Sequence, residues 1–84
     1  HVWYNGTVAI DLKEAEADTR DYERRGPGLN HLGFTAPDRA ALDAVRRAMA
    51  EAGFEVPDIQ TFAREAATFF KDPDGMRVEV PVYA

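Results

Sequence analysis

Two residues of types that bind metal ions lie in strand-like segments far apart in the sequence. His31 lies in LNHLGFTA, residues 29–36, and Glu79 lies in MRVEVPV, residues 76–82. An imidazole nitrogen and a carboxylate oxygen can together bind a divalent ion such as Zn²⁺, Mn²⁺ or Fe²⁺. Two ligands are too few for a complete site, so the others would have to come from another chain or module.

Side-chain alternation predicts that His31 and Glu79 face the same side of one sheet. Val78 and Val80 share a face of the last strand, and Leu32 lies on the apolar face of the earlier one. A helix needs an apolar sheet surface to cover, so these faces should meet it, and His31 and Glu79 should face away from it. Two other interpretations stay open: both residues are simply surface or ion-pair residues, or His31 is a structural hydrogen-bonding residue.

One clear amphipathic helix is predicted to cover this sheet. Asp38 is a suitable N-cap for a helix over roughly residues 39–52. Gly53 suits the left-handed position that commonly ends a helix. The apolar stripe of the helix contains Leu42, Val45 and Met49.

The remaining segments predict strands and turns on both sides of this helix. Residues 54–62 are predicted to form a strand that Pro57 interrupts, and residues 67–71 and 76–82 are predicted to form a hairpin across the turn DPDG. Nearer the N-terminus, residues 2–4 and 7–12 form a hairpin across Asn5-Gly6. The charged residues 13–25 are interpreted as a solvated connection. The prediction is an α+β fold in which strand, helix and three strands follow an N-terminal hairpin.

Composition narrows the class of partner. Fifteen acidic and ten basic side chains give a net charge of −5, which disfavours nucleic acid and mildly favours a cationic ligand over an anionic one. Cysteine is absent, which excludes disulfides and thiolate metal sites. No apolar run reaches the ~20 residues of a membrane span. We therefore expect a cytoplasmic protein that binds neither nucleic acid nor membrane.

Three stretches together resemble the second half of a vicinal oxygen chelate protein, the superfamily of glyoxalase I, extradiol dioxygenases and bleomycin-resistance proteins. They are GPGLNHLGF, RAALDAVRRAMAEAGFEV and ATFFKDPDGMRVEV, at residues 26–34, 39–56 and 67–80. The resemblance implies paired βαβββ modules that form a cupped, incomplete barrel. It also implies that His31 and Glu79 occupy metal-ligand positions, with Zn, Mn, Fe or Ni as the divalent metal.

The same resemblance implies a division of the chain. Residues 29–84 match one βαβββ module, and residues 1–28 match the tail of a first module whose opening strand and helix are missing here. Aligning Gly6 with Gly75 puts Ile10 at the position that matches Glu79, and a slip of one residue puts Asp11 there. Asp11 is therefore a candidate ligand-binding residue.

Arg77 and Phe70 are two further candidates for ligand binding. Arg77 shares a strand face with Glu79, so it should either pair with that carboxylate, which we favour, or bind an anionic group of a substrate. Phe69 and Phe70 point to opposite faces, so at most one can line the cup. Phe70 is our candidate.

Two functions follow as hypotheses. The first is a metal-dependent lyase or dioxygenase in which the ion acts as a Lewis acid on a small oxygen-rich substrate, with His31 as a ligand and Glu79 as a ligand and catalytic base. The second is a metal-free, bleomycin-resistance-like protein that sequesters a small cationic or aromatic molecule. In both cases we expect a homodimer, because the core is small and residues 2–12 leave an open edge.

Overall fold

The computed structural model describes residues 1–83, which contain one helix and two β-sheets. In chain order the elements are β1 (Val2–Tyr4), β2 (Ala9–Asp11), β3 (His31–Gly33), α1 (Arg39–Glu51), β4 (Gln60–Phe62), β5 (Glu65–Lys71) and β6 (Arg77–Tyr83). From β3 onward this is the predicted order of strand, helix and three strands. The α+β class and the βαβββ arrangement are thus confirmed.

The two sheets differ in size and connection. β1 and β2 form a two-stranded antiparallel hairpin, and the other four strands form a sheet in the order β3-β6-β5-β4. β3 runs parallel to β6, whereas β5 is antiparallel to both of its neighbours. The last strand therefore lies in the interior of its sheet, directly beside the first strand of the module. This crossover brings the segments of His31 and Glu79 together.

Helix α1 begins and ends as its sequence predicts. The side chain of Asp38 accepts a hydrogen bond from the Ala41 amide at 2.8 Å, which satisfies one of the free amides of the first turn. Gly53 follows the C-cap with φ of +91°, a conformation that costs glycine little because it has no Cβ. The core lies between α1 and the sheet, where Leu42 is fully buried against residues that include Phe70 and Val80.

The segment after the helix is the main difference from the predicted elements. A strand was expected over residues 54–62, but only Gln60–Phe62 pair with the sheet, at its edge. Proline has no amide hydrogen to donate to a neighbouring strand. The carbonyl of Pro57 instead accepts a hydrogen bond from Arg46 Nη2 at 3.0 Å, so this part of the segment is tied to the helix.

The turn between β5 and β6 is stabilised by its first aspartate. Asp72 Oδ1 accepts hydrogen bonds from the amides of Asp74 and Met76 at 2.9 and 2.8 Å. Gly75 has φ of +90°, the left-handed conformation that was expected at this position. The turn sets how β5 and β6 pair, and so which residue of β5 lies beside Glu79. No helix within residues 1–83 combines the length and the apolar character needed to cross a membrane.

Candidate functional site

His31 and Glu79 are in contact on the sheet face opposite the helix. His31 Nε2 lies 3.2 Å from Glu79 Oε2. The Glu79 side chain is only 13% exposed, whereas that of His31 is 42% exposed, so the carboxylate lies on the floor of the site and the imidazole at its rim. Side-chain alternation predicted a shared face for these two residues. The structure places them there.

The pairing of β3 with β6 explains how two residues 48 positions apart reach each other. Gly33 is the register partner of Glu79, and His31 is the register partner of Arg77. Because Gly33 has no side chain, the space beside Glu79 is left open, and the imidazole of His31 reaches the carboxylate diagonally. The Phe34 amide donates to the Glu79 carbonyl at 2.9 Å, which extends the contact between the strands beyond β3.

Phe69 lies on this sheet face, whereas Phe70, the residue that was predicted for it, lies on the opposite face. Phe69 is the register partner of Glu79, whereas Phe70 is 5% exposed and packs in the core with Leu42. The physical reason is the register that the turn imposes. With Phe69 opposite Glu79, alternation turns Phe70 toward the helix.

Arg77 interacts with Phe69 rather than with Glu79, contrary to the expected ion pair. Its guanidinium carbon lies 4.4 Å from the centroid of the Phe69 ring, within the range of a cation–π contact. Among residues 1–83 the basic side chain found within 4 Å of the Glu79 carboxylate is that of His31. The contact holds the guanidinium over an aromatic ring beside the candidate site, where it can meet an anionic group.

A cavity of about 630 Å³ lies next to this contact. Phe69 and Arg77, the register partners of Glu79 and His31, both line it. Phe70 also contributes to its lining, so the predicted candidate borders this cavity although most of its side chain is buried in the core. Its charged lining residues are three bases and one acid, namely Arg24, Lys71, Arg77 and Glu55. The cavity is therefore locally positive in a protein whose net charge is −5.

The structure does not bring Asp11 to this site. Asp11 is the last residue of β2, is exposed, and pairs with Val2 across the hairpin. Among the elements of residues 1–83, the strands of this hairpin contact only each other. Asp11 keeps its place as a predicted ligand-binding residue only if the hairpin contributes to a site outside this sheet.

The donor atoms of His31 and Glu79 have a separation that suits a shared metal ion. Ligands at about 2.1 Å from an ion lie about 3.0 Å apart in octahedral geometry and about 3.4 Å apart in tetrahedral geometry. The observed separation of 3.2 Å falls between these values. Within residues 1–83 no third histidine or acidic residue joins them to form a metal-binding group. The pair thus fits part of a coordination sphere.

Sequence reasoning chose Phe70 over Phe69 and missed Asn30. Phe69 could have been found if the register of the last hairpin had been known. Asn30 Oδ1 lies 2.9 Å from His31 Nδ1. Its signal in the sequence is its position next to the histidine, but the direction of its side chain depends on the fold of the connection.

The fold and the site define an α+β protein of the βαβββ class with a histidine–carboxylate pair on its open sheet face. The sequence model of the Glyoxalase/Bleomycin resistance protein/Dioxygenase superfamily matches residues 2–80. The chain belongs to this superfamily, as the three motifs predicted.

Solved structures of the same superfamily have similar folds. A candidate glyoxalase from Bacillus halodurans is 25% identical, with a TM-score of 0.69 over 88% of this chain and 59% of that chain. A glyoxylase/bleomycin resistance protein/dioxygenase domain from Frankia sp. EAN1pec is also 25% identical, with a TM-score of 0.68 over 75% of this chain and 50% of that one.

A lactoylglutathione lyase from Agrobacterium tumefaciens is 23% identical, with a TM-score of 0.59 over 82% of this chain and 52% of that one. At this identity the likeness concerns the fold alone. The chain spans between 50% and 59% of the length of these three solved proteins. A comparison with curated protein sequences finds no significant match.

Proposed function

We propose that this protein is a metal-dependent enzyme of lyase or dioxygenase type that acts on a small, oxygen-rich substrate. His31 and Glu79 would be two ligands of a divalent ion, which would be Zn, Mn, Fe or Ni. The observation that carries the proposal is the 3.2 Å separation of His31 Nε2 and Glu79 Oε2 on the open sheet face. When bound, such an ion supplies Lewis-acid chemistry to neighbouring substrate oxygens.

The two residues have different roles in this proposal. His31 supplies a neutral nitrogen ligand at the rim. Glu79 supplies a carboxylate whose second oxygen is free to accept a proton from the substrate, which makes it the candidate catalytic base. Its low exposure supports this role, because a carboxylate with little water around it interacts more strongly with a nearby charge.

Arg77 would bind an anionic part of the substrate, such as a carboxylate or a phosphonate. This assignment is supported by the cavity that Arg77 lines together with Arg24 and Lys71. The Phe69 ring beneath the guanidinium offers an apolar surface for the rest of the molecule. A cationic ligand, which net charge alone favoured, would meet repulsion in this cavity.

The complete site would need groups from beyond this pair. We propose that residues 29–84 form one module and that residues 1–28 correspond to the tail of a preceding one. We also propose a homodimer. Exposed apolar side chains on the hairpin support it, because Val2, Trp3, Tyr4 and Leu12 are each more than half exposed. Light scattering should give twice the chain mass for the parent, and a monomer at all concentrations would contradict the dimer. A cytoplasmic location remains a prediction.

Metal content tests the proposed function. The parent and the variants His31→Ala and Glu79→Ala should be loaded separately with Zn²⁺, Mn²⁺, Fe²⁺ and Ni²⁺, desalted, and measured by elemental analysis. We expect one of these metals to be retained by the parent and lost in both variants. The affinity should fall by more than about tenfold, since even a change of a residue that supports a ligand costs that much.

Matched controls separate loss of a ligand from loss of structure. His1→Ala and Glu51→Ala remove an exposed histidine and an exposed glutamate outside the sheet that carries the site, and both should keep the metal. Circular dichroism should show the same fold in all five proteins. A parent that retains none of the four metals would overturn the proposal. If that parent also binds aromatic or cationic compounds, the alternative of a sequestering protein is supported.

A further inference from the structure

Asn30 is held on two sides by the connection that precedes it. Its side-chain amide nitrogen donates a hydrogen bond to the Arg24 carbonyl at 3.1 Å. Its own backbone carbonyl accepts a hydrogen bond from the Tyr22 hydroxyl at 2.6 Å. The third contact of Asn30 is the one between its Oδ1 and His31 Nδ1, at 2.9 Å. The connection, expected to be merely solvated, is thus linked to the site.

These contacts determine which way the Asn30 amide faces. A carbonyl oxygen can only accept, so the NH₂ group of Asn30 must be the part that faces Arg24. The amide oxygen then faces His31, and it too can only accept. Nδ1 of His31 must therefore be the donor, so this ring nitrogen carries a proton. In a neutral imidazole the other nitrogen, Nε2, then carries a lone pair.

That lone pair faces the carboxylate of Glu79. Two acceptor atoms 3.2 Å apart repel each other unless a positive charge lies between or beside them. A proton on Nε2 supplies such a charge, and the ring is then an imidazolium that donates to both Asn30 and Glu79. When the ring is neutral, a metal ion can take the same place, where the lone pairs of Nε2 and Oε2 converge. A neutral ring of the opposite tautomer would instead donate Nε2–H to Glu79 and leave no lone pair for an ion.

We propose that Asn30 is a positioning residue that holds neutral His31 as the Nδ1–H tautomer and so presents Nε2 as the metal-binding nitrogen. The inference deepens the proposed function, because the ion it serves is the one assigned to His31 and Glu79. Outer hydrogen bonds of this kind orient a ligand and raise its basicity, and their loss costs about 10- to 100-fold in metal affinity. The backbone of Arg24, not its side chain, supplies the anchor.

Nitrogen-15 NMR of the imidazole rings tests the tautomer directly in metal-free protein. The spectrum is recorded at a pH where the ring is neutral by its own titration, and His1→Ala identifies the His31 signals. We expect Nδ1 protonated and Nε2 unprotonated in the parent. In Asn30→Leu the population should shift toward the Nε2–H form, which can donate to Glu79. Asn30→Asp keeps the oxygen acceptor for Nδ1 but loses the donor to the Arg24 carbonyl, so its Nδ1–H population should lie between those of the parent and of Asn30→Leu.

Binding of Zn²⁺ measured by calorimetry is the second readout. Asn30→Leu should bind Zn²⁺ about 10- to 100-fold more weakly than the parent, and Asn30→Asp should bind it more tightly than Asn30→Leu. The inference is overturned if the His31 ring of the parent is in the Nε2–H form. It is also overturned if Asn30→Leu has the same tautomer as the parent. Both hold even if the protein binds metal. If Asn30→Leu fails to fold, the spectrum of the parent alone shows whether His31 has the Nδ1–H form. A parent with Nδ1–H that binds no metal overturns the proposed function while the tautomer assignment stands.

Discussion

Replacing Thr68 by valine should stabilise the protein, because its hydroxyl is buried without a partner. Thr68 is fully buried in β5, on the same face as Phe70 and opposite Val80 in register. That face packs against the helix. Within residues 1–83, Thr68 Oγ1 has no hydrogen-bond partner. Threonine suits a strand through its branched Cβ, but here its polar atom lies among apolar side chains.

The expected gain in the free energy of unfolding follows from the environment of the Thr68 hydroxyl. A buried polar group that makes no hydrogen bond costs about 1–3 kcal/mol relative to its solvated state. Valine puts a methyl group in nearly the same volume, so the substitution removes this cost and creates no cavity. We expect the free energy of unfolding to rise by about 1–2 kcal/mol. In a domain of this size, each kcal/mol corresponds to about 4–8 °C in Tm.

Urea unfolding followed by circular dichroism measures this effect, with two control variants. Thr61→Val makes the same change at an exposed position of β4 and should shift stability by less than about 0.5 kcal/mol. Thr68→Ala removes the hydroxyl but also the methyl group, so the gain should be largely offset by the cavity. If Thr68→Val is less stable than the parent and the slope of its urea unfolding curve is unchanged, the hydroxyl has a hydrogen-bond partner in solution and the reasoning is wrong.

Two further predictions concern the helix cap and the end of the sheet. Asp38→Ala should lower the free energy of unfolding by about 1 kcal/mol, because the Ala41 amide loses its acceptor. Asp38→Asn should retain most of the parent's stability. Equal urea midpoints for the parent and both variants would contradict the role of Asp38 as the cap. A hydrogen bond with Glu65, together with the negative charges of Glu65 and Glu79, raises the pKa of Tyr83 above its usual 10.0. The stabilising contribution of this raised pKa is complete below pH 10 and is lost as the pH rises through the folded-state value. Glu65→Gln should move one phenolate transition to lower pH in an ultraviolet titration, with Tyr83→Phe identifying it, and an unmoved transition would refute the contact.

The alternation of side chains was enough to predict the central part of the site. In LNHLGF and MRVEV it placed His31 and Glu79 on one face without knowledge of their distance. What it could not supply was register. The position of Gly33 beside Glu79, and of Phe69 rather than Phe70 across from it, depends on how neighbouring strands align. That alignment follows from turn geometry and packing. A shift of the alignment by one residue would turn every side chain of the strand to the opposite face of the sheet.

Contacts made by irregular segments were equally beyond sequence reasoning. Arg46 of the helix donates to the carbonyl of Pro57, in the loop before β4 and eleven residues later. The role proposed for Asn30 depends on the path of the connection around Arg24. Neither has a periodic signal, because each involves one side chain and one backbone carbonyl. Such bonds nevertheless tie the loop before β4 to the helix and, in the role proposed for Asn30, orient the histidine ring.

The charge of the whole chain proved a poor guide to the charge near the site. Net charge sums all side chains, many of them solvated and far from any ligand, whereas a ligand responds to groups within about one Debye length, roughly 8–10 Å. Here the groups closest to the His31–Glu79 pair through register are Arg77 and Phe69, and the cavity that both line is basic. In the proposed function, the anionic group of the substrate lies beside Arg77. The local field thus supports the enzyme hypothesis over sequestration of a cation.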